Sequence, residues 1–126
     1  MPTSVKQLLA AANEAVPRIT PDEARRLIAE SDALLLDVRD GTELARTGKL
    51  KGAAHVSRGM IEFRADPESQ YHDAQFRKDR PVILYCGSGG RSALAGKTLK
   101  DLGFERVHNL GGFKELSDGG FETEPA

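Results

Sequence analysis

Short apolar segments of strand length recur along the chain and are separated by segments with helical periodicity. Proline, glycine or charged residues bound the apolar segments, as is typical of buried parallel strands. The apolar segments predict a parallel sheet of about five strands, formed by Pro17–Ile19 (a short strand or an extended link), Ala33–Val38, Ala53–Val56, Val82–Tyr85 and Arg106–Leu110.

The intervening segments predict helices, and two of them carry clear start signals. Ser4 and Gln7 have the spacing of a capping box, and Thr20-Pro21 followed by Glu23 combines a capping residue with proline at the first helical position. The predicted helices are Ser4–Ala15, Thr20–Glu30, Thr42–Thr47, Met60–Ala65, Leu94–Leu102 and Lys114–Asp118. Strands that alternate with helices in this way give an α/β fold in three layers, with helices on both faces of the sheet.

Composition narrows the range of functions. The 126 residues fit one domain, and 18 basic against 19 acidic residues argue against a general nucleic-acid or anionic-membrane binder. No apolar run reaches the roughly 18 residues needed to span a bilayer and the N-terminus does not resemble a signal peptide, so we expect a soluble, cytoplasmic protein. With one cysteine and three scattered histidines, we predict no disulfide within the chain, no metal site and no cofactor.

The candidate chemistry lies in the loop that follows the strand Val82–Tyr85. Cys86 is followed by Gly87, Ser88, Gly89, Gly90 and Arg91, and a helix begins after them. Glycines let successive N–H groups turn inward as an anion nest, and the helix adds its partial positive end. A cysteine facing that nest has a lowered pKa and is a strong nucleophile as thiolate. The alternative is a buried structural cysteine beside a glycine-rich turn without chemistry.

Four segments together resemble one known family. The Cys86–Ser92 loop is similar to the active-site loop of rhodanese domains, which are sulfurtransferases. Leu35–Arg39 resembles the family's strand that ends in Asp-Val-Arg, Gly48–Val56 its glycine-rich approach to the next strand, and Leu110–Phe113 its C-terminal Leu-x-Gly-Gly segment. The resemblance implies a rhodanese domain at residues 17–118, between an N-terminal helical extension at 1–16 and a C-terminal tail at 119–126, which we expect to be frayed.

The loop chemistry and the resemblance together predict sulfur transfer. Cys86 takes a sulfane sulfur from a small anionic donor of the thiosulfate or mercaptopyruvate type and passes it from a persulfide to cyanide, a thiol or a protein acceptor. Many thiosulfate-using relatives have a basic residue where Gly87 stands, which leaves the donor open. One alternative is a carrier module that a partner protein loads with sulfur. Another is a Cys-Arg phosphatase, although the related phosphatases place five residues between cysteine and arginine and this chain places four.

Three residues outside the loop are assigned by their place at strand ends. Asp37 is a candidate loop support through a hydrogen bond, but a structural ion pair or turn cap is favoured for Asp37 and Arg39, because a carboxylate close to the thiolate would oppose its ionisation. Arg58 is a candidate contact for the anionic substrate, and a surface arginine that caps a turn is the alternative. His55 is predicted to pack at its strand end and not to act as a base.

Within the loop, Arg91 has two predicted roles. It either contacts the donor or ties the loop to a carboxylate.

The N-terminal helix precedes the segments that carry the resemblance. Val5, Leu8, Leu9 and Ala12 form an apolar stripe on one side of it. Two interpretations are open. The helix packs on the domain as an extra element, or it docks a partner, with a homodimer as the simplest case.

Overall fold

The computed structural model describes residues 2–126; Met1, the first residue of the predicted extension at 1–16, lies outside the described residues. The helices are α1 (Val5–Ala15), α2 (Pro21–Ser31), α3 (Gly41–Thr47), α4 (Ile61–Ala65), α5 (Gly90–Asp101) and α6 (Phe113–Asp118). The strands are β1 (Leu34–Asp37), β2 (Lys49–Leu50), β3 (Ala54–His55), β4 (Val82–Cys86), β5 (Val107–Gly112) and β6 (Thr123–Glu124). These bounds confirm the predicted order of the helices and of β1, β3, β4 and β5, whereas β2 and β6 were not predicted. A 3₁₀ turn at Arg58–Met60 precedes α4.

The main sheet is parallel and has four strands, in the order β3-β1-β4-β5. The prediction of about five strands is corrected in one respect, because the fifth segment forms only an isolated parallel bridge between Arg18 and Asn109 of β5. Proline removes the backbone donor at position 17, so this segment has little ladder to extend. The carboxyl ends of the strands meet at one edge, which is where Cys86 lies.

Residues on successive strand positions point into two separate cores, as the period-two geometry of strands requires. Leu34 and Leu36 of β1 join one core, under α1, α4 and α5, whereas Leu35 joins the other. The second core contains residues of α2 and α6 and extends to Leu50 of β2. Helices therefore cover both faces of the sheet, and the predicted three-layer arrangement is confirmed.

Helix α1 packs on α5 on the outer side of the first core. Its N-terminus has the predicted capping box, because the Ser4 hydroxyl accepts the Gln7 N–H and the Gln7 side chain accepts the Ser4 N–H. A Cβ atom placed on Gly96 of α5 would lie 3.0 Å from the Val16 methyls, so glycine there lets the end of α1 approach closely. Among residues 2–126, no helix is long and apolar enough to cross a membrane.

The expectation of a frayed C-terminal tail is wrong. Thr123 and Glu124 form β6, which pairs antiparallel with β2, and the Glu124 carboxylate accepts a hydrogen bond from the Lys49 ammonium at 2.7 Å. Phe121 is buried in the second core, and the Arg25 guanidinium lies 4.7 Å from the centre of its ring. Apolar burial thus holds a segment whose polar composition suggested a free end.

We expect Phe121→Ala to destabilise the fold by about 3 kcal/mol, because it leaves a cavity in the second core. Phe63→Ala is the matched control, since Phe63 is 51% exposed and Phe121 only 9%. Urea unfolding followed by circular dichroism measures both free energies. Equal unfolding free energies for the two variants would mean that the tail contributes nothing to the core.

Candidate active site

The Cys86 loop connects the end of β4 to the start of α5. Gly87 and Ser88 are exposed at its rim, whereas Cys86 is only 1% exposed. Gly89 turns the chain into the helix with a φ of 101°, in the left-handed region that glycine occupies without strain. The sulfur therefore lies at the bottom of a small cup whose wall is the backbone of its own loop.

Backbone and side-chain donors of the loop surround the sulfur. The N–H of Gly89 donates to Sγ at 3.0 Å, the N–H of Ser92 at 3.4 Å, and the Ser92 hydroxyl lies 3.4 Å away. These groups belong to the N-cap and first turn of α5, where N–H groups have no partner within the helix. The helix also contributes its partial positive end at this point. The predicted anion nest is therefore present and faces the cysteine.

The nest changes the acidity of the thiol. Burial alone raises the pKa of Cys86, because it penalises the charged form. Hydrogen bonds from the Ser92 hydroxyl and from neighbouring backbone N–H groups act in the opposite direction and together outweigh burial, so the pKa of Cys86 lies below its ordinary value. A thiol with a lowered pKa is present as thiolate in a larger fraction near neutral pH.

The Ser92 hydroxyl has one proton and two acceptors within reach. It lies 2.8 Å from Oδ1 of Asn109 and 3.4 Å from the Cys86 sulfur. The shorter distance favours Asn109 as acceptor when the cysteine is neutral. When Cys86 ionises, the charged sulfur competes for that proton, because hydrogen bonds to ions are stronger than those to neutral groups.

Asn109 is a site residue that the sequence interpretation missed. It is fully buried on β5, and its side-chain amide donates to the carbonyl of Gly89 at 3.0 Å while its Oδ1 accepts the Ser92 hydroxyl and the Gly111 N–H. One side chain thus fixes both residues that donate to the sulfur. Asparagine at a buried strand position next to Leu110-Gly111-Gly112 was the available signal, since a buried amide needs partners.

The two glycines after Leu110 allow this close approach. A Cβ atom on Gly112 would lie 2.6 Å from the carbonyl oxygen of Gly87, so the loop backbone rests directly on the end of β5. Gly111 has a φ of 113°. Their predicted return to the active edge is confirmed, and Phe113 beyond them packs in the core, where its ring stacks on Tyr85 at 6.3 Å.

Arg91 ties the loop to a carboxylate, which was one of its two predicted roles. Its guanidinium donates to Glu43 of α3 through two hydrogen bonds, of 2.6 and 3.1 Å. The Arg91 partner, followed by the N–H of Asp40, lowers the pKa of Glu43 to about 2, against the opposing effect of burial. Glu43 therefore stays ionised down to acidic pH, and the charge of Arg91 is compensated within the fold.

The Asp37 carboxylate makes no hydrogen bond to the Cys86–Ser92 loop, so its candidate role as a loop support does not hold. Its carboxylate is fully buried and accepts hydrogen bonds from the backbone N–H, Nε and Nη2 of Arg39, at 2.8 to 3.1 Å. Arg39 in turn donates to Thr47 and to the carbonyl of Gly48, at the end of α3. The favoured structural role is confirmed: the pair anchors α3, the helix that carries Glu43.

The structure also places Arg58 away from the loop. Its guanidinium donates to Glu62 and to the Thr98 hydroxyl, both at 3.1 Å. Thr98 is eight residues beyond Gly90, which is about 12 Å along the helix axis. The 3₁₀ turn at the end of β3 directs this side chain along α5 rather than toward its N-terminus. His55 packs at its strand end, with Nε2 2.6 Å from the carbonyl oxygen of Arg39.

We expect Ser92→Ala to raise the pKa of Cys86, because one donor to the sulfur is lost while the backbone donors remain. Alkylation by iodoacetamide follows the thiolate, so its rate rises with pH and levels off above the pKa. In the unsubstituted protein the midpoint should lie below the ordinary thiol value of about 8.5. Ser117→Ala, in α6, is the control. Superimposed profiles for Ser92→Ala and the unsubstituted protein would show that the hydroxyl proton stays with Asn109.

Two solved structures of other proteins match nearly the whole chain. A protein of unknown function from Rhodopseudomonas palustris, described as a possible tyrosine phosphatase, is 38% identical, with a TM-score of 0.87 over 98% of this chain and 99% of that chain. The polysulfide-sulfur transferase homodimer from Wolinella succinogenes is 32% identical, with a TM-score of 0.75 over 94% of this chain and 85% of that chain.

Curated relatives match the same region. A sulfurtransferase of Allochromatium vinosum is 35% identical over 89 residues, which are 71% of this chain and 75% of that protein. A tRNA uridine(34) hydroxylase of Bartonella quintana is 30% identical over 95 residues, and this chain spans 30% of its length. A family model for the rhodanese-like domain matches residues 20–118. This chain therefore belongs to the rhodanese-like domain family.

Proposed function

We propose that the protein transfers sulfane sulfur from a small anionic donor to a thiophilic acceptor through a persulfide on Cys86. The observation that carries this proposal is the set of N–H groups of Gly89 and Ser92 directed at the sulfur. Donors in this arrangement stabilise negative charge on sulfur without rearrangement during the reaction. Membership of the rhodanese-like family and the similarity to sulfurtransferases support the same chemistry.

In the first step, the Cys86 thiolate attacks the outer sulfur of the donor. A bond forms between Sγ and that sulfur, and the bond between the outer sulfur and the rest of the donor breaks. With thiosulfate the electron pair leaves with sulfite, and Cys86 carries the persulfide. No general base is needed, because the nest holds the cysteine ready to ionise.

In the second step, a nucleophile removes the terminal sulfur. Cyanide or a thiolate forms a bond to it, and the electron pair of the broken sulfur–sulfur bond returns to Cys86 as thiolate. The chain has a single cysteine, so the persulfide cannot be resolved as an internal disulfide. The acceptor therefore has to come from outside the chain.

Three donor classes are candidates. Thiosulfate and mercaptopyruvate present one terminal sulfur on an anionic group, and polysulfide is included because the Wolinella relative is a polysulfide-sulfur transferase. Cys86 is 1% exposed, so a narrow terminal sulfur reaches it more easily than a bulky group. Gly87 supplies no charge at the position after the cysteine. The anionic group of the donor therefore has to be bound by a cationic side chain at another position.

A Cys-Arg phosphatase is the second candidate, favoured by the description of the Rhodopseudomonas relative. Two features weigh against it. Arg91, which would have to bind phosphate, is held by Glu43 through two hydrogen bonds. The loop also has four residues between cysteine and arginine, which makes a tighter nest than a tetrahedral phosphate needs.

The direct test is intact mass after incubation with thiosulfate, mercaptopyruvate or polysulfide. We expect the mass of one sulfur atom to be gained, to be lost again with cyanide, and to be absent in Cys86→Ser. No gain from any donor would reject a small-molecule sulfurtransferase. Loading from a persulfidated partner protein would then support the carrier module, and hydrolysis of p-nitrophenyl phosphate that depends on Cys86 would support the phosphatase.

We also propose that α1 docks a second copy of this chain. Val5 and Leu8 of α1 are 66% and 47% exposed, and Leu8 lines a groove with Ala11 and Leu94. The burial of such apolar side chains between subunits is favourable. The Wolinella relative is a homodimer whose structure aligns with 94% of this chain, which supports a second copy as the occupant.

A dimer through α1 predicts that Val5→Glu combined with Leu8→Glu yields a monomer, because two charges would have to be buried. Sedimentation equilibrium measures the mass in solution. Phe63→Glu, an equally exposed apolar position away from α1, should leave the dimer intact. A monomeric mass for the unsubstituted protein at all concentrations would overturn the dimer.

A further inference from the structure

Arg18 lies beside the Cys86 loop, although it precedes the residues that match the family model. The N–H of Ile19 donates to the carbonyl of Asn109 at 3.2 Å, and the N–H of Asn109 donates to the carbonyl of Pro17 at 3.0 Å. These two hydrogen bonds fix the backbone of Arg18 next to Asn109. Asn109, whose side chain orients the loop, thus also positions Arg18 through its backbone.

The guanidinium of Arg18 rests on two glycines of the site. A Cβ atom on Gly89 would lie 3.1 Å from Nη1, and one on Gly111 would lie 2.6 Å from Nη2. Arg18 therefore occupies the space that side chains at these positions would fill. Gly89 is also the residue whose N–H donates to the Cys86 sulfur at 3.0 Å. The guanidinium of Arg18 thus contacts a residue that itself donates a hydrogen bond to the Cys86 sulfur.

The charges around the loop are balanced except at this position. Arg91 is paired with Glu43, and Arg39 with Asp37. Within residues 2–126, no ion pair or side-chain hydrogen bond engages the guanidinium of Arg18, which is exposed to solvent. An arginine without a carboxylate partner keeps its planar set of donors free for an incoming anion.

We propose that Arg18 binds the anionic end of the sulfur donor while the terminal sulfur of that donor reaches Cys86. This inference rests on the proposed sulfur transfer and specifies its substrate class: a donor with a sulfonate, carboxylate or second sulfur anion beyond the transferred sulfur. The negative charge of such a donor and the negative charge of the Cys86 thiolate repel each other. Arg18 offsets that repulsion from its place against Gly89 and Gly111, whereas Gly87 carries no charge and Arg91 is held by Glu43.

The test compares two alkylating agents that react at the same sulfur. Iodoacetate carries a carboxylate and iodoacetamide does not, so the ratio of their rates with Cys86 reports the local charge. We expect Arg18→Gln to lower this ratio about fivefold, the size of effect that one partly exposed charge exerts. Arg18→Lys should keep part of the ratio, because charge is retained and the planar fork is lost.

Arg106→Gln is the matched control, since it removes the same charge at the opposite end of β5. An unchanged rate with iodoacetamide shows that the nest is intact in each variant. The persulfide assay adds the second readout, in which Arg18→Gln should raise the thiosulfate concentration for half-maximal loading about fivefold.

The two proposals fail separately. A normal rate ratio in Arg18→Gln, equal to that of Arg106→Gln, would overturn the role of Arg18 even if Cys86 forms a persulfide. A lowered ratio without any persulfide would keep Arg18 as an anion-binding residue and reject sulfur transfer as the reaction it serves.

Discussion

Most of the structure around Cys86 follows from one constraint: backbone N–H groups must point at a sulfur that the fold has removed from water. Burial disfavours a charged sulfur, and hydrogen bonds from the start of α5 reverse that effect. The loop has to be short and rich in glycine for these donors to converge, and Gly89 supplies the left-handed turn. The end of β5 has to be glycine as well, because Gly112 touches the carbonyl of Gly87.

A second set of contacts keeps this loop in place from outside. Asn109 holds the carbonyl of Gly89 and the hydroxyl of Ser92 from the adjacent strand. On the other side, Arg91 reaches Glu43, whose helix is anchored by the buried pair of Asp37 and Arg39. A buried pair of this kind contributes little net stability in general, but removal of one partner is costly. Its role here is positional, since it fixes the carboxylate that orients Arg91.

The fold and the nucleophile were predictable because their signals are local. Apolar runs gave the strands, capping residues gave the starts of α1 and α2, and the glycine-rich run after Cys86 gave the nest. The roles of Glu43, Asn109 and Arg18 were not predicted, since each acts on the loop across 17 or more residues of sequence. Arg58 was assigned by its strand end alone, and the sequence pattern did not reveal that Glu62 and Thr98 would bind its guanidinium.

The C-terminal segment at 119–126 is a second case in which contacts with distant residues decide the structure. Gly119-Gly120 and the acidic residues after them have the composition of a free end, yet Phe121 finds a place in the second core and β6 pairs with β2. A single aromatic side chain buries enough apolar surface to order a short polar segment. The contribution of Phe121 to the order of this segment depends on distant residues of the second core, which the composition of the segment does not reveal.

The measurement that tests the central claim most directly is the amide spectrum of Gly89 and Ser92 as Cys86 ionises. If their N–H groups donate to the sulfur, both amide proton signals should move downfield with pH, with one shared midpoint below the ordinary thiol pKa of about 8.5. The change should be absent in Cys86→Ser. Amide signals that do not move with the ionisation of Cys86 would contradict the account, because the negative charge would then be stabilised by something other than the nest.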